Sequence, residues 1–292
     1  MAGGLKEVRE RIGSVQNTMQ ITSAMKMVSA AKLKRAQDAI TRLRPYASKL
    51  RYILENVSGT LDLSENAFAE DRGSKKILIV AITSNRGLCG GFNSNVIKKV
   101  SSLIKDEFTS SQVSVVCLGK KVKDVYKRTE NYFSNETLAP QEDIVGAVSF
   151  ERTAAVSKEL MRLFQTKEFD RIVLVYNRFV NAVTQSVEVE AFLPLKSEES
   201  SQGSLAKDYL FEPEKEEIVA ELIPKSLNTQ LFKAVLDSIA AEHAARMTAM
   251  HKATDNASEL RKSLKLSYNK ARQAAITNEI LEIVGGAEAL NA

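Results

Sequence analysis

Leu5-Lys-Glu-Val8-Arg-Glu-Arg-Ile12-Gly-Ser-Val15-Gln-Asn-Thr-Met19 opens a stretch in which an apolar side chain returns every third or fourth residue. The series runs on through Thr22, Lys26, Ser29, Leu33, Ala36, Ile40, Leu43, Ala47, Leu50, Leu54, Val57 and Leu61. Fourteen of these seventeen positions are apolar. A step of about 3.5 residues held this long is a coiled-coil heptad. A helix of roughly 55 residues would reach about 80 Å, beyond the width of a small domain. The three polar positions, Thr22, Lys26 and Ser29, are consecutive in the series, and this break predicts a seam that opens or changes partner there.

The segments around this stretch follow from where glycine and proline fall. Residues 14–58 hold no Gly and only Pro45, and residues 225–284 hold neither. Because Gly costs a helix about 1 kcal/mol and Pro about 3, such gaps permit very long helices. In the second gap Leu236, Ile239, His243, Met247, Met250, Ala253, Ala257, Leu260, Leu264, Tyr268, Ala271 and Ala275 form a thinner stripe of the same period. Its many Ala residues require a close partner, and the N-terminal helix is the natural one. Between the two helices lie short continuous apolar runs at 77–82, 113–118 and 172–176, as expected of strands buried on both faces. Helical spacing at 93–108, 119–130 and 150–166 makes these βαβ units, and an alternating run at 184–192 reads as an antiparallel edge strand. The expected fold is therefore a long antiparallel two-helix coiled coil with an inserted Rossmann-like α/β domain. Its divisions are 1–61, 73–195, a polar loop over 196–213, and 214–292.

Composition narrows the function. The 292 residues carry a formal charge of +5, with 44% hydrophobic and 26% charged residues, an ordinary globular balance. No apolar run approaches the ~20 residues of a membrane span, and the N-terminus has neither a signal-peptide core nor the acid-poor, Arg-rich look of a transit peptide. Cys89 and Cys117 are too few for a disulfide framework, which predicts a reducing compartment. The charge is uneven. Lys26, Lys32, Lys34, Arg35, Arg42, Arg44, Lys49 and Arg51 stand against Asp38 alone between residues 26 and 51. Such a stretch is either a solvated face or a surface for an acidic protein, nucleic acid or membrane.

Little in the chain points to catalysis. Ser84-Asn85-Arg86-Gly87-Leu88-Cys89-Gly90-Gly91 follows the first strand and could cradle phosphate on backbone N–H groups, but it matches neither nucleotide-binding fingerprint. His243 and His251 lie eight residues apart on a helix, too far to share a metal. Cys89 has no neighbouring base in the sequence. No catalytic, cofactor-binding or metal site is expected.

Several motifs carry a resemblance. They are Val15-Gln-Asn-Thr18, Ile21-Thr-Ser-Ala-Met25-Lys-Met-Val28, Arg86-Gly-Leu-Cys-Gly-Gly91, Asp208-Tyr-Leu-Phe-Glu-Pro213, Ala244-Ala-Arg-Met-Thr-Ala-Met250, Ala253-Thr-Asp-Asn256, Tyr268-Asn-Lys-Ala-Arg-Gln273 and Ile276-Thr-Asn-Glu279-Ile-Leu-Glu282-Ile-Val-Gly-Gly286-Ala287. In this order, and over nearly the whole chain, they resemble the γ subunits of F-type ATP synthases. The resemblance implies a non-catalytic rotor shaft that couples proton flow through a membrane c ring to ATP synthesis and hydrolysis, and helps regulate the ATPase. It implies α and β subunits as partners, one copy of this chain to three of each, with the ε subunit and the c ring at the foot. By motif, Met25, Lys26, Arg272, Gln273, Thr277, Glu279 and Glu282 would contact the catalytic ring, and Tyr209 and Glu212 the c ring. No cofactor, nucleic acid or direct membrane insertion is implied, and the place is the cytoplasmic face of a bacterial plasma membrane. The family usually has Asp where Asn85 stands, which predicts a weakened local ion pair. The alternative is a coiled-coil protein that binds nucleic acid through the basic N-terminal helix.

Overall fold

A computed structural model describes residues 2–58, 67–195 and 215–291. Two very long helices dominate, α1 (Ala2–Ser58) and α5 (Lys215–Asn291), and α1 continues through Pro45. Between them come β1 (Lys76–Ile82), α2 (Phe92–Ser102) with a π turn (Leu103–Glu107), β2 (Gln112–Leu118), α3 (Lys120–Tyr126), α4 (Phe150–Gln165), β3 (Arg171–Phe179) and β4 (Gln185–Leu193). The chain divides into two compact units, residues 1–29 with 247–292 and residues 30–246.

In the first unit α1 and α5 run antiparallel. Thr22 Oγ1 lies 2.8 Å from Thr254 Oγ1, and Lys26 Nζ lies 3.4 Å from His251 Nδ1. In an antiparallel pair the numbers of facing residues keep a nearly constant sum, here close to 276. The seam on α1 is the expected one, since Leu5, Val8, Ile12, Val15 and Met19 are partly buried and the residues between them exposed. The expected opening at Thr22, Lys26 and Ser29 is corrected. Thr22 and Ser29 are 8% and 3% exposed, the most buried of the α1 seam positions in this unit. Thr22 bonds across to Thr254, and Ser29 Oγ donates to Met25 O at 2.7 Å, so small hydroxyl side chains close the seam while meeting their own hydrogen-bonding needs. The stripe on α5 is corrected at two positions. Leu260 and Ala271 are exposed, and Arg261 takes the partly buried place beside Leu264.

The second unit is built on a four-stranded sheet of order β2-β1-β3-β4. β1 pairs in parallel with β2 and β3, and β4 is the antiparallel edge. The continuous apolar runs of the parallel strands are buried on both faces. On one face Ile77, Ile79, Val113, Val115, Cys117 and Val175 pack against Val96 and Val100 of α2 and Val122 and Tyr126 of α3. The connection from β2 to β3 passes back across β1, so a right-handed crossover puts α4 on the other face. There α4 fully buries Val156, Leu160, Leu163 and Phe164. Helix α5 reaches the sheet at β4, where Gln230 Nε2 donates to Glu190 Oε1 at 2.8 Å and to Ala191 O at 3.0 Å. Leu33, Ala36 and Leu50 of α1 are buried in the same unit, continuing the heptad.

Gly119 fixes the turn out of β2. Its φ is +115°, and a Cβ there would stand 2.1 Å from Thr83 O. That closeness brings the ends of β1 and β2 together, with Val122 N donating to Thr83 Oγ1 at 3.0 Å. Residues 127–149, which have no periodicity, are tied down by polar contacts. The Glu142 carboxylate accepts from Lys123 Nζ and Tyr132 OH, and Glu142 O accepts from Gly119 N.

Candidate functional site

The loop from β1 to α2 is the sharpest local motif, and its own side chains shape it. Ser84 N donates to Asn93 Oδ1 at 3.0 Å, Ser84 Oγ lies 2.6 Å from Arg86 O, and Asn93 Nδ2 donates to Cys89 Sγ at 3.2 Å. Leu88 and Gly90 both take positive φ, 62° and 58°, which turns the chain back into α2. Cys89 is 1% exposed and packs with Phe92 against Ala241 of α5. Burial raises its thiol pKa, and that of Cys117 to about 12. Both cysteines are therefore protonated packing residues.

Carbonyls of the loop are covered by a cation from α5. A phosphate cradle aims N–H groups at an anion, whereas here the carbonyls of Arg86 and Gly87 face a cation. Arg246 of α5 donates to Arg86 O at 3.3 Å and to Gly87 O at 3.4 Å. The same guanidinium pairs with Glu242 at 2.6 Å, both side chains being almost fully buried. It also lies 3.3 Å from His243 Nδ1. Burial, aided by the cations Arg246 and Lys32, lowers the His243 pKa to about 4, so the ring is neutral near pH 7 and Nδ1 can accept. Desolvation raises the Glu242 pKa against the opposing pull of Arg246.

Asn85 changes the expectation made for it. Its Nδ2 donates to Asp143 Oδ1, and its Oδ1 accepts from Lys120 N at 3.0 Å. An Asp at 85 would set two carboxylates face to face, so the amide removes a repulsion and no ion pair is lost.

The residues singled out by motif are spread along the coil. Met25 and Lys26 are partly buried, with Lys26 beside His251, which in turn lies 3.5 Å from Asp255. The two histidines thus have separate partners. Arg272, Gln273, Thr277, Glu279 and Glu282 are exposed, and Thr277 Oγ1 donates to Gln273 O at 2.9 Å. By the facing sum, Arg272 stands level with residue 4. Tyr209, Glu212 and the loop 196–213 lie outside the described residues.

Several apolar side chains lie off the heptad. Ile21, Met27 and Val28 on α1, and Ile276, Ile280, Leu281, Ile283 and Val284 on α5, are exposed, Ile283 by 70%. Their signal was available as the apolar residues left over once the seam is assigned. Among the described residues no group of three or more His, Cys, Asp or Glu could hold a metal ion. No described helix is long and apolar enough to cross a membrane.

Comparison with known proteins agrees with this geometry. Residues 4–290 match the ATP synthase family. The ATP synthase gamma chain of Flavobacterium johnsoniae is 58% identical over 288 residues, covering 98% of this chain and 99% of that one. That of Geotalea uraniireducens is 41% identical over 289 residues, with 98% of each covered. The chain belongs to the ATP synthase gamma chain family. In fold it is similar to a chain of the Euglena gracilis mitochondrial ATP synthase rotor, at TM-score 0.64 and 23% identity, covering 94% of this chain and all of that one. A chain from the OSCP/F1/c-ring structure of the same enzyme gives TM-score 0.68 and 23% identity, covering 99% and 95%. Membership of this family leaves the nucleic-acid reading of the basic helix without support.

Proposed function

We propose that this chain is the central shaft of an F-type ATP synthase, turning with a membrane c ring and driving α and β subunits through their catalytic states. The observation that carries this reading is the apolar run Ile276–Val284, exposed on α5. Five large apolar side chains in nine residues need a covering surface, and a helix tip inserted into a ring of subunits supplies one. The charged stretch from Lys26 to Arg51 suits acidic surfaces on the same partners.

The chain itself supplies no chemistry. Among the described residues, the loop with a phosphate-site look is covered by Arg246 of α5, and ATP is bound and hydrolysed by the partners. Met25, Lys26, Arg272, Gln273, Thr277, Glu279 and Glu282 are the residues assigned to the catalytic ring, Tyr209 and Glu212 those assigned to the c ring, and ε is a partner at the foot. The proposed place is the cytoplasmic face of a bacterial plasma membrane, with attachment through the other subunits.

Mixing the purified chain with α and β subunits tests the reading. A complex of one copy to three of each, hydrolysing ATP well above α and β alone, is the expected result. Failure to form a complex when all chains are folded would overturn it.

A further inference from the structure

In a doubly wound sheet, ligands bind in the crevice beyond the carboxyl ends of the strands, where the strand order reverses. In this sheet the reversal lies between β1 and β3, because the chain leaves β1 for β2 and then returns to the other side of β1. The crevice is already filled from within the chain. Cys89 and Phe92 come from the β1–α2 loop and the start of α2, and Phe179 ends β3. Ala241 and Ala245, one turn apart on α5, pack among them, with Ala241 fully buried. Arg246 then bonds the loop carbonyls from the next position of the helix.

We infer that this crevice is a seat for α5, and that it holds the α/β unit at one rotational setting on the helix so that torque passes between them. The inference rests on the shaft reading above. Its physical basis is the difference between adhesion and registration. Apolar burial resists separation, but it is non-directional and does not oppose sliding of one surface over another. Registration needs interlocked shape and directional bonds. Among the described residues, helix α5 has these at Gln230 on β4 and at Ala241 to Arg246 in the crevice. Gln230 and Arg246 are sixteen residues apart, roughly 24 Å along the helix. Two anchors so far apart fix a rotational setting that neither fixes alone. Small side chains at 241 and 245 let the loop close over the helix, so Ala241 is a positioning residue that touches no nucleotide.

The test uses the whole complex in membrane vesicles and compares the native chain with Ala241→Val and Ala241→Leu. Added methyl groups in a close-packed site push the loop off the helix. ATP hydrolysis should stay within about twofold, while protons pumped per ATP fall in graded order, by about fivefold or more for Leu. Ala241→Leu with Phe92→Ala, which reopens room in the crevice, should recover most of the pumping. A pumping ratio unchanged in both variants would overturn the inference. So would parallel loss of hydrolysis and pumping with the ratio kept, which marks a purely structural role. If the Leu variant fails to assemble, the Val variant decides by the same criteria. A complex built without this chain is the control. Equal pumping without it would overturn the shaft reading itself, whereas a normal ratio in the variants would overturn only the seat.

Discussion

Arg246 shows how one side chain can settle what a motif does. A glycine-rich loop after a strand is ambiguous, and here a guanidinium faces two of its carbonyls. Arg246→Ala leaves Glu242 buried without its cation, a change that costs about 3 kcal/mol. The expected result is a large fall in the urea midpoint, with the Arg246→Ala, Glu242→Ala double variant losing less than the sum of the two. His243 adds a pH dependence. Its folded pKa is depressed to about 4, so its contribution is present above the unfolded value near 6.5. That contribution is lost as pH falls from about 6.5 to about 4, because the unfolded chain takes up the proton first. Allowing for screening by water on its partly open side, the loss is about 2 kcal/mol. His243→Gln should flatten that part of the stability profile, as read by denaturant unfolding at several pH values. At Gly119 the outcome is sterically dictated. Gly119→Ala meets Thr83 O at an impossible distance and should abolish soluble expression or cost about 3 kcal/mol or more.

Among the elements, the coil illustrates how a polar break in a heptad can tighten a seam. Large apolar side chains hold helices apart, while the small Thr22 hydrogen-bonds across the seam and the small Ser29 bonds back to its own helix. Thr22→Val removes one partner of the bond to Thr254 and should cost about 1 kcal/mol in thermal unfolding. The double variant Thr22→Val, Thr254→Val replaces both hydroxyls by methyls of like shape and should return close to the parent. Failure of the double variant to recover would mean that the hydroxyl contacts to Met19 O and Met250 O matter more than the bond across the seam.

For the molecule as a whole, function rests on surfaces and on stiffness. The exposed Lys32, Lys34 and Arg35 lie in the densest basic stretch of α1. If they meet acidic partners, assembly with α and β subunits should slow as salt rises. Lys34→Glu with Arg35→Glu should lower the association rate by about tenfold at low salt and by much less at high salt. Stopped-flow light scattering at two ionic strengths would distinguish this from a rate that ignores salt.

Periodicity determined the two long helices, and the apolar runs and their intervals determined the parallel sheet with its antiparallel edge. These are local signals, set by side-chain spacing against the 3.6 and 2.0 repeats of the backbone. The family was legible because its motifs occur in order along the chain. Other features depended on residues far apart in sequence. The pairing of Thr22 with Thr254, the exposure of Leu260 in favour of Arg261, and the amide of Asn85 facing Asp143 were invisible until both partners were placed. The role of the loop at 84–91 was decided by Arg246, some 160 residues away, because a loop's chemistry depends on which of its backbone groups a distant element covers.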